Sequence, residues 1–120
     1  MTLEDFKALC LGFKEVTLEF PFNENTLVCK VRGKMFALTD IETFARINVK
    51  CDPEDALAYR ASFEGVTPGY HMNKKHWNSL ALGSDVSDEQ IEEWIGASYD
   101  LVVAKLPKKD RDILSRKGLE

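Results

Sequence analysis

The densest chemistry in the chain lies between Tyr70 and Asn78, which holds both histidines, an adjacent lysine pair and one of the two tryptophans. Lys74, Lys75 and His76 form a contiguous donor set suited to an anion such as a phosphate. Tyr70, His71, Trp77 and Asn78 supply aromatic walls and polar tips, the ingredients of a groove for a protein segment or small ligand. The same stretch also reads as a solvated hairpin loop whose aromatics fold back on the core. His71 and His76 are five apart, with no cysteine or carboxylate at ligand spacing, so no metal site is expected.

The remaining reactive side chains do not assemble into a catalytic pattern. Ser62, Ser79 and Ser84 lie outside any G-x-S-x-G context. Gly33, Gly65 and Gly69 are isolated and read as turns, not as a phosphate-cradling loop. The acids between Asp85 and Glu93 mark a helix start, where the helix dipole and solvent account for them. Cys10, Cys29 and Cys51 are odd in number, widely spaced and at apolar positions, which reads as buried thiols acting as small hydrophobes. A non-enzymatic protein without a cofactor is expected.

Those residues must be held by regular elements, and the hydrophobic periodicity supplies them. Thr2 is an N-cap ahead of Leu3, Phe6, Leu9 and Cys10 at helical spacing, with Gly12 as the stop. Val16, Leu18 and Phe20 alternate with polar residues as a first strand, and Leu27, Cys29 and Val31 form a second. Arg32-Gly33 is a two-residue hairpin connection into Lys34–Leu38. Thr39–Ala45 is a loop or helical turn, and Arg46–Cys51 a further strand. Asp52-Pro53-Glu54-Asp55 starts a helix that ends near Phe63. Val66-Thr67-Pro68-Gly69 reads as a turn, and His76–Leu82 as a strand. Ser87 and Gln90 form a capping box, and Val86 with Ile91 a hydrophobic staple, for a long helix to about Lys105. Pro107 interrupts it before a short basic helix to about Arg116. This order predicts one α+β domain over residues 1–120, a two-layer sandwich of antiparallel sheet with helices packed on one face.

The formal net charge of −4 argues against a generally basic nucleic-acid binder, but the charge is segregated. Between positions 26 and 50, five bases (Lys30, Arg32, Lys34, Arg46, Lys50) face two acids, whereas 85–100 carries six acids and no base. One sheet face should gather Val16, Leu18, Phe20, Leu27, Cys29, Val31, Ile47 and Val49 against the long helix at Trp94 and Leu101. The opposite face is expected to carry Lys30, Arg32, Arg46, Asn48, Lys50 and Asn78, with Phe36. Polar groups with an occasional aromatic suit phosphates and bases, and equally suit an open solvated sheet. No apolar run approaches a membrane span, and Met1–Asp5 lacks a signal-peptide start, so a cytoplasmic monomer with no membrane partner is expected.

Four segments give the chain a resemblance that covers nearly its whole length. They are PFNENTLVCKVRGKMFAL (Pro21–Leu38), INVKCDPEDALAYR (Ile47–Arg60), VTPGYHMNKKHWNSL (Val66–Leu80) and SYDLVVAKLPKK (Ser98–Lys109). In these the chain resembles the MmcQ/YjbR family of small bacterial proteins. The resemblance implies a CyaY-like fold, related in shape to frataxin, and a double-wing arrangement for which DNA binding has been proposed. The hairpin at Arg32-Gly33-Lys34 and the loop at Asn73–His76 are the positions it would make the wings. Phosphate contacts would then come from Lys30, Arg32, Lys34, Arg46, Lys50, Lys74, Lys75 and His76. Frataxin-like iron binding uses an acidic first helix; here that helix offers only Glu4 and Asp5 beside Lys7, and no metal is expected.

Overall fold

The structure, a computed structural model, describes residues 1–69 and 72–119, with side chains through position 115. Tyr70 and His71, and the ligand role expected of them, lie outside the described residues. Six strands form one antiparallel sheet in the order β1-β2-β3-β4-β6-β5. They are β1 (Val16–Glu19), β2 (Thr26–Val31), β3 (Lys34–Asp40), β4 (Arg46–Lys50), β5 (Val66–Pro68) and β6 (Trp77–Ala81). Four helices accompany it: α1 (Leu3–Leu11), α2 (Pro53–Ser62), α3 (Asp88–Ala104) and α4 (Lys108–Leu119). The two-layer α+β architecture read from the sequence is the one observed.

The helix starts follow their local chemistry. Thr2 and Asp5 exchange hydrogen bonds in a full capping box on α1. Asp52 accepts from the Glu54 N–H, with Pro53 in the first turn of α2. Ser87 accepts from the Gln90 N–H, but the Gln90 side chain turns to Glu93, so only half of the expected box forms on α3.

The core lies between the sheet and the helices, built from Leu27, Cys29, Val31, Ile47, Val49 and Leu80 against Phe6, Cys10, Ile91, Ile95 and Val102. Two aromatic groups fix the helix layer: Phe13, Phe36 and Tyr99 on one side, Tyr59, Phe63 and Trp94 on the other. All three cysteines are buried and unpaired, as expected. Burial beside Asp55 pushes the Cys51 thiol up to about 11, and contact with Cys29 together with burial raises that of Cys10 far above its usual range. Both therefore stay protonated at neutral pH and act as apolar filling.

Four expectations about faces and elements are corrected. Phe36 belongs to the core, because a bulge at Cys29/Lys30 shifts the register from Cys29↔Ala37 to Lys30↔Met35. Two residues of β3 then oppose one of β2, and Phe36 joins Ala37 on the buried side. Asn78 also faces the core, because its register with Val49 puts it in phase with Leu80, whatever its polarity. Val66–Pro68 is not a turn but the edge strand β5, paired with Leu80, Ser79 and Asn78. An edge is where a sheet tolerates the missing N–H of Pro68. Phe20 lies beyond the end of β1 and is 47% exposed, not packed in the core.

Among the described residues, no helix is long and apolar enough to cross a membrane.

Candidate functional site

The register decides which charged residues meet. In an antiparallel sheet, the β2–β3 turn, the end of β4 and the start of β6 lie at one end of the strands. The pairs Val31↔Lys34 and Lys50↔Trp77 fix that end. Arg32, Lys34, Lys50, Lys74 and Lys75 therefore converge there, with His76 immediately before β6. Arg46, at the start of β4 opposite Ala81, lies at the other end of the sheet. Lys30 is on the open face one residue inside the basic end, opposite Met35 and Thr17.

The two connections that project at the basic end are built differently. Arg32 and Gly33 both have positive φ, 49° and 83°, the pattern of a tight two-residue hairpin turn. Arg32 also donates through Nε to Asp110 at the start of α4, 3.0 Å away. The second connection, leading into β6, is tied back by Arg60 of α2. Arg60 Nε donates to Asn78 Oδ1 at 2.7 Å, and its Nη2 donates to the Lys74 and Trp77 carbonyls. Asn73 Oδ1 accepts from the Lys75 N–H, and the Trp77 N–H bonds the Asn73 carbonyl. Gly69 is required where this segment returns, since a Cβ there would lie 2.7 Å from Trp77 Cβ.

The cations differ in how free they are. Lys30 is 3.4 Å from Glu19, and Arg32 is held by Asp110. Lys74 Nζ lies 3.5 Å from the Gly69 carbonyl. Among the described residues, Lys34, Lys50 and Lys75 have no acidic partner for their side chains. Lys50 is positioned by a contact that the sequence does not advertise. The Ser98 hydroxyl of α3 accepts from the Lys50 N–H at 2.9 Å and donates to the Phe36 carbonyl at 2.6 Å.

Of the residues expected to line a ligand groove, the two described ones, Trp77 and Asn78, separate. Trp77 packs on the open face with Val28, Leu38, Met35 and Met72, a small apolar cluster covering the middle of the sheet. This face is therefore more apolar than the polar surface with an occasional aromatic that the strand alternation led us to expect. Asn78 is fully buried on the other side, where its Nδ2 donates to the Ala56 carbonyl at 3.2 Å, so it belongs to no groove.

Beside the Trp77 cluster, towards the end of the sheet that carries Arg46, lies a concave pocket of about 610 Å³. Its walls include Phe22, Leu38 and Met72, with Asp40, Arg46 and Asn48 as polar members. Sequence reading assigned Arg46 and Asn48 to this face but missed the concavity, because the β1–β2 and β3–β4 connections that wall it are distant in sequence. Among the described residues, no cluster of three or more His, Cys, Asp or Glu is placed to hold a metal ion.

Comparison with known proteins places this geometry among relatives. Residues 11–101 match the YjbR family model. The chain is 38% identical over 109 residues to the uncharacterised protein YbdF of Escherichia coli O157:H7, covering 90% of this chain and 89% of that one. It is 34% identical over 115 residues to the uncharacterised protein YjbR of E. coli strain K12, covering 95% and 98%. The crystal structure of Deinococcus radiodurans protein DR2400, of domain family DUF419, superposes with a TM-score of 0.89 at 36% identity over 95% of this chain and 88% of that one. A Pseudomonas syringae crystal structure matches at 0.71 with 24% identity over 84% and 98%, a likeness of fold.

Proposed function

The chain belongs to the YjbR family, and from that premise we propose that it is a binding module, not an enzyme, that grips the phosphate backbone of duplex DNA. The observation that carries this reading is the convergence of Arg32, Lys34, Lys50, Lys74 and Lys75, from three separate stretches of sequence, at one end of the sheet. The hairpin and the β5–β6 connection stand about three strand spacings apart, roughly 14 Å. That separation is comparable to the ~12 Å width of a major groove, so each connection would reach one phosphate strand.

The cations that no salt bridge holds among the described residues are assigned the main contacts: Lys34 on the hairpin, Lys50 between the wings, Lys74 and Lys75 on the loop. Lys30 and Arg32 would contribute less, because Glu19 and Asp110 already compensate them. Arg46 falls outside the footprint. Asp52, Glu54 and Asp55 start α2 at this same end but in the helix layer. They would confine a phosphate strand to the open-face side.

Fluorescence anisotropy with a labelled duplex of about 20 base pairs at about 50 mM salt tests this. A Lys74→Ala/Lys75→Ala variant is expected to bind at least tenfold more weakly, and Arg46→Gln to change affinity less than twofold. Equal losses in both variants would mean diffuse attraction and would overturn the assigned surface.

A further inference from the structure

We propose that the open-face pocket is a binding site for a small zwitterion with an apolar side chain, the chemistry of a free aromatic α-amino acid. This goes beyond the nucleic-acid reading and rests on different residues at the other end of the sheet.

The pocket has the size of a small-molecule site, about 610 Å³, and its floor and walls are apolar at Leu38, Met72 and Phe22. Phe22 is 61% exposed, an aromatic ring left uncovered at the rim. Three polar side chains reach the same space, and each has unused capacity. Asn48 is only 8% exposed. One end of its carboxamide is bonded by the Ser79 hydroxyl, while the other has no partner among the described residues. Among the described residues no buried side-chain nitrogen or oxygen lacks a partner, so the unbonded end of this carboxamide is open to the pocket, where a ligand group can replace water on it.

Arg46 and Asp40 set the charge requirement. They stand one rung beyond the pair Thr39↔Ile47, on neighbouring strands and the same face. The Thr39 hydroxyl donates to the Arg46 carbonyl at 2.8 Å and fixes the start of β4. The Arg46 guanidinium has no partner among the described residues, and no ion pair joins it to Asp40. Asp40 Oδ1 accepts from the Glu42 and Thr43 N–H groups, which holds the carboxylate in place and leaves its second oxygen unbonded among the described residues. A simple anion drawn to Arg46 would meet Asp40, and a simple cation drawn to Asp40 would meet Arg46. A ligand carrying both charges on adjacent carbons satisfies both. Its carboxylate takes the guanidinium, its ammonium takes Asp40, and its side chain covers Leu38 between Phe22 and Met72.

Isothermal titration with three probes of one skeleton tests this: L-phenylalanine, 3-phenylpropionate and 2-phenylethylamine. L-Phenylalanine is expected to bind the intact protein at least about tenfold more tightly than either singly charged probe. Arg46→Gln should remove its advantage over 2-phenylethylamine, and Asp40→Asn, which keeps the turn-forming oxygen, its advantage over 3-phenylpropionate. Both positions are at the surface, and circular dichroism checks that the variants are folded. Absence of L-phenylalanine binding at millimolar concentration, equal affinity for the three probes, or indifference to both substitutions would overturn the proposal. DNA affinity measured on the same variants reports on the other end of the sheet, so failure of one reading is distinguishable from failure of the other.

Discussion

The Ser98 hydroxyl bridges β3 and β4 where their ladder stops, serving the Phe36 carbonyl and the Lys50 N–H at once. Ser98→Ala leaves both main-chain groups without that partner, so a loss of about 1–3 kcal/mol in unfolding free energy is expected by urea titration. Arg60 acts similarly on the β5–β6 connection. Arg60→Met keeps the aliphatic stem but removes the donors to Asn78, Lys74 and Trp77. Faster amide exchange across residues 73–77 and weaker DNA binding are expected, although Arg60 itself lies outside the proposed phosphate surface. Neither role was legible in the sequence. Ser98 and Arg60 fell within expected helices with nothing to mark them, because most of their partners are main-chain groups that any residue type carries. The lysines were legible as types, but their convergence depended on register.

The elements themselves were largely readable, since caps, turn residues and periodicity act locally. Thr2, Asp52 and Ser87 cap where expected, and Arg32-Gly33 turns the hairpin. What escaped was set by pairing across the sheet: the bulge that buries Phe36, the phase that buries Asn78, and the edge pairing that makes Val66–Pro68 a strand. The connections at the other end of the sheet carry their own electrostatics. Asp85 accepts from the Gly65 and Glu64 N–H groups at 2.7 and 2.8 Å, and these bonds hold its carboxyl below its ordinary 3.8. A depressed carboxyl contributes stability that is fully present above its unfolded-state value and lost as pH falls through its folded-state value. The thermal midpoint is therefore expected to fall between about pH 5 and pH 2, and to fall less in Asp85→Asn. A parallel fall in parent and variant would remove Asp85 from this role.

Across the molecule, charge is polarised along the strands. Glu24, Glu42, Glu64 and Asp85 lie in the connections at one end, with Asp40 closing β3 there, and the first turn of α3 adds Asp88 and Glu89. Arg32, Lys34, Lys50, Lys74 and Lys75 occupy the other end, where Asp110 of α4 meets Arg32. Arg46 at the acidic end and Asp52, Glu54 and Asp55 in the helix layer of the basic end blunt the separation, but on the sheet side one end still attracts a polyanion more than the other, which the net charge of −4 hides. Association is therefore expected to be oriented, with the basic end leading. The dependence of DNA affinity on salt tests this account most directly. Four phosphate contacts predict a slope of log K against log salt of about −3.5, falling to about half that in Lys74→Ala/Lys75→Ala. A parent whose affinity is flat with salt, or which does not bind at low salt, would contradict the assignment of the basic end to DNA.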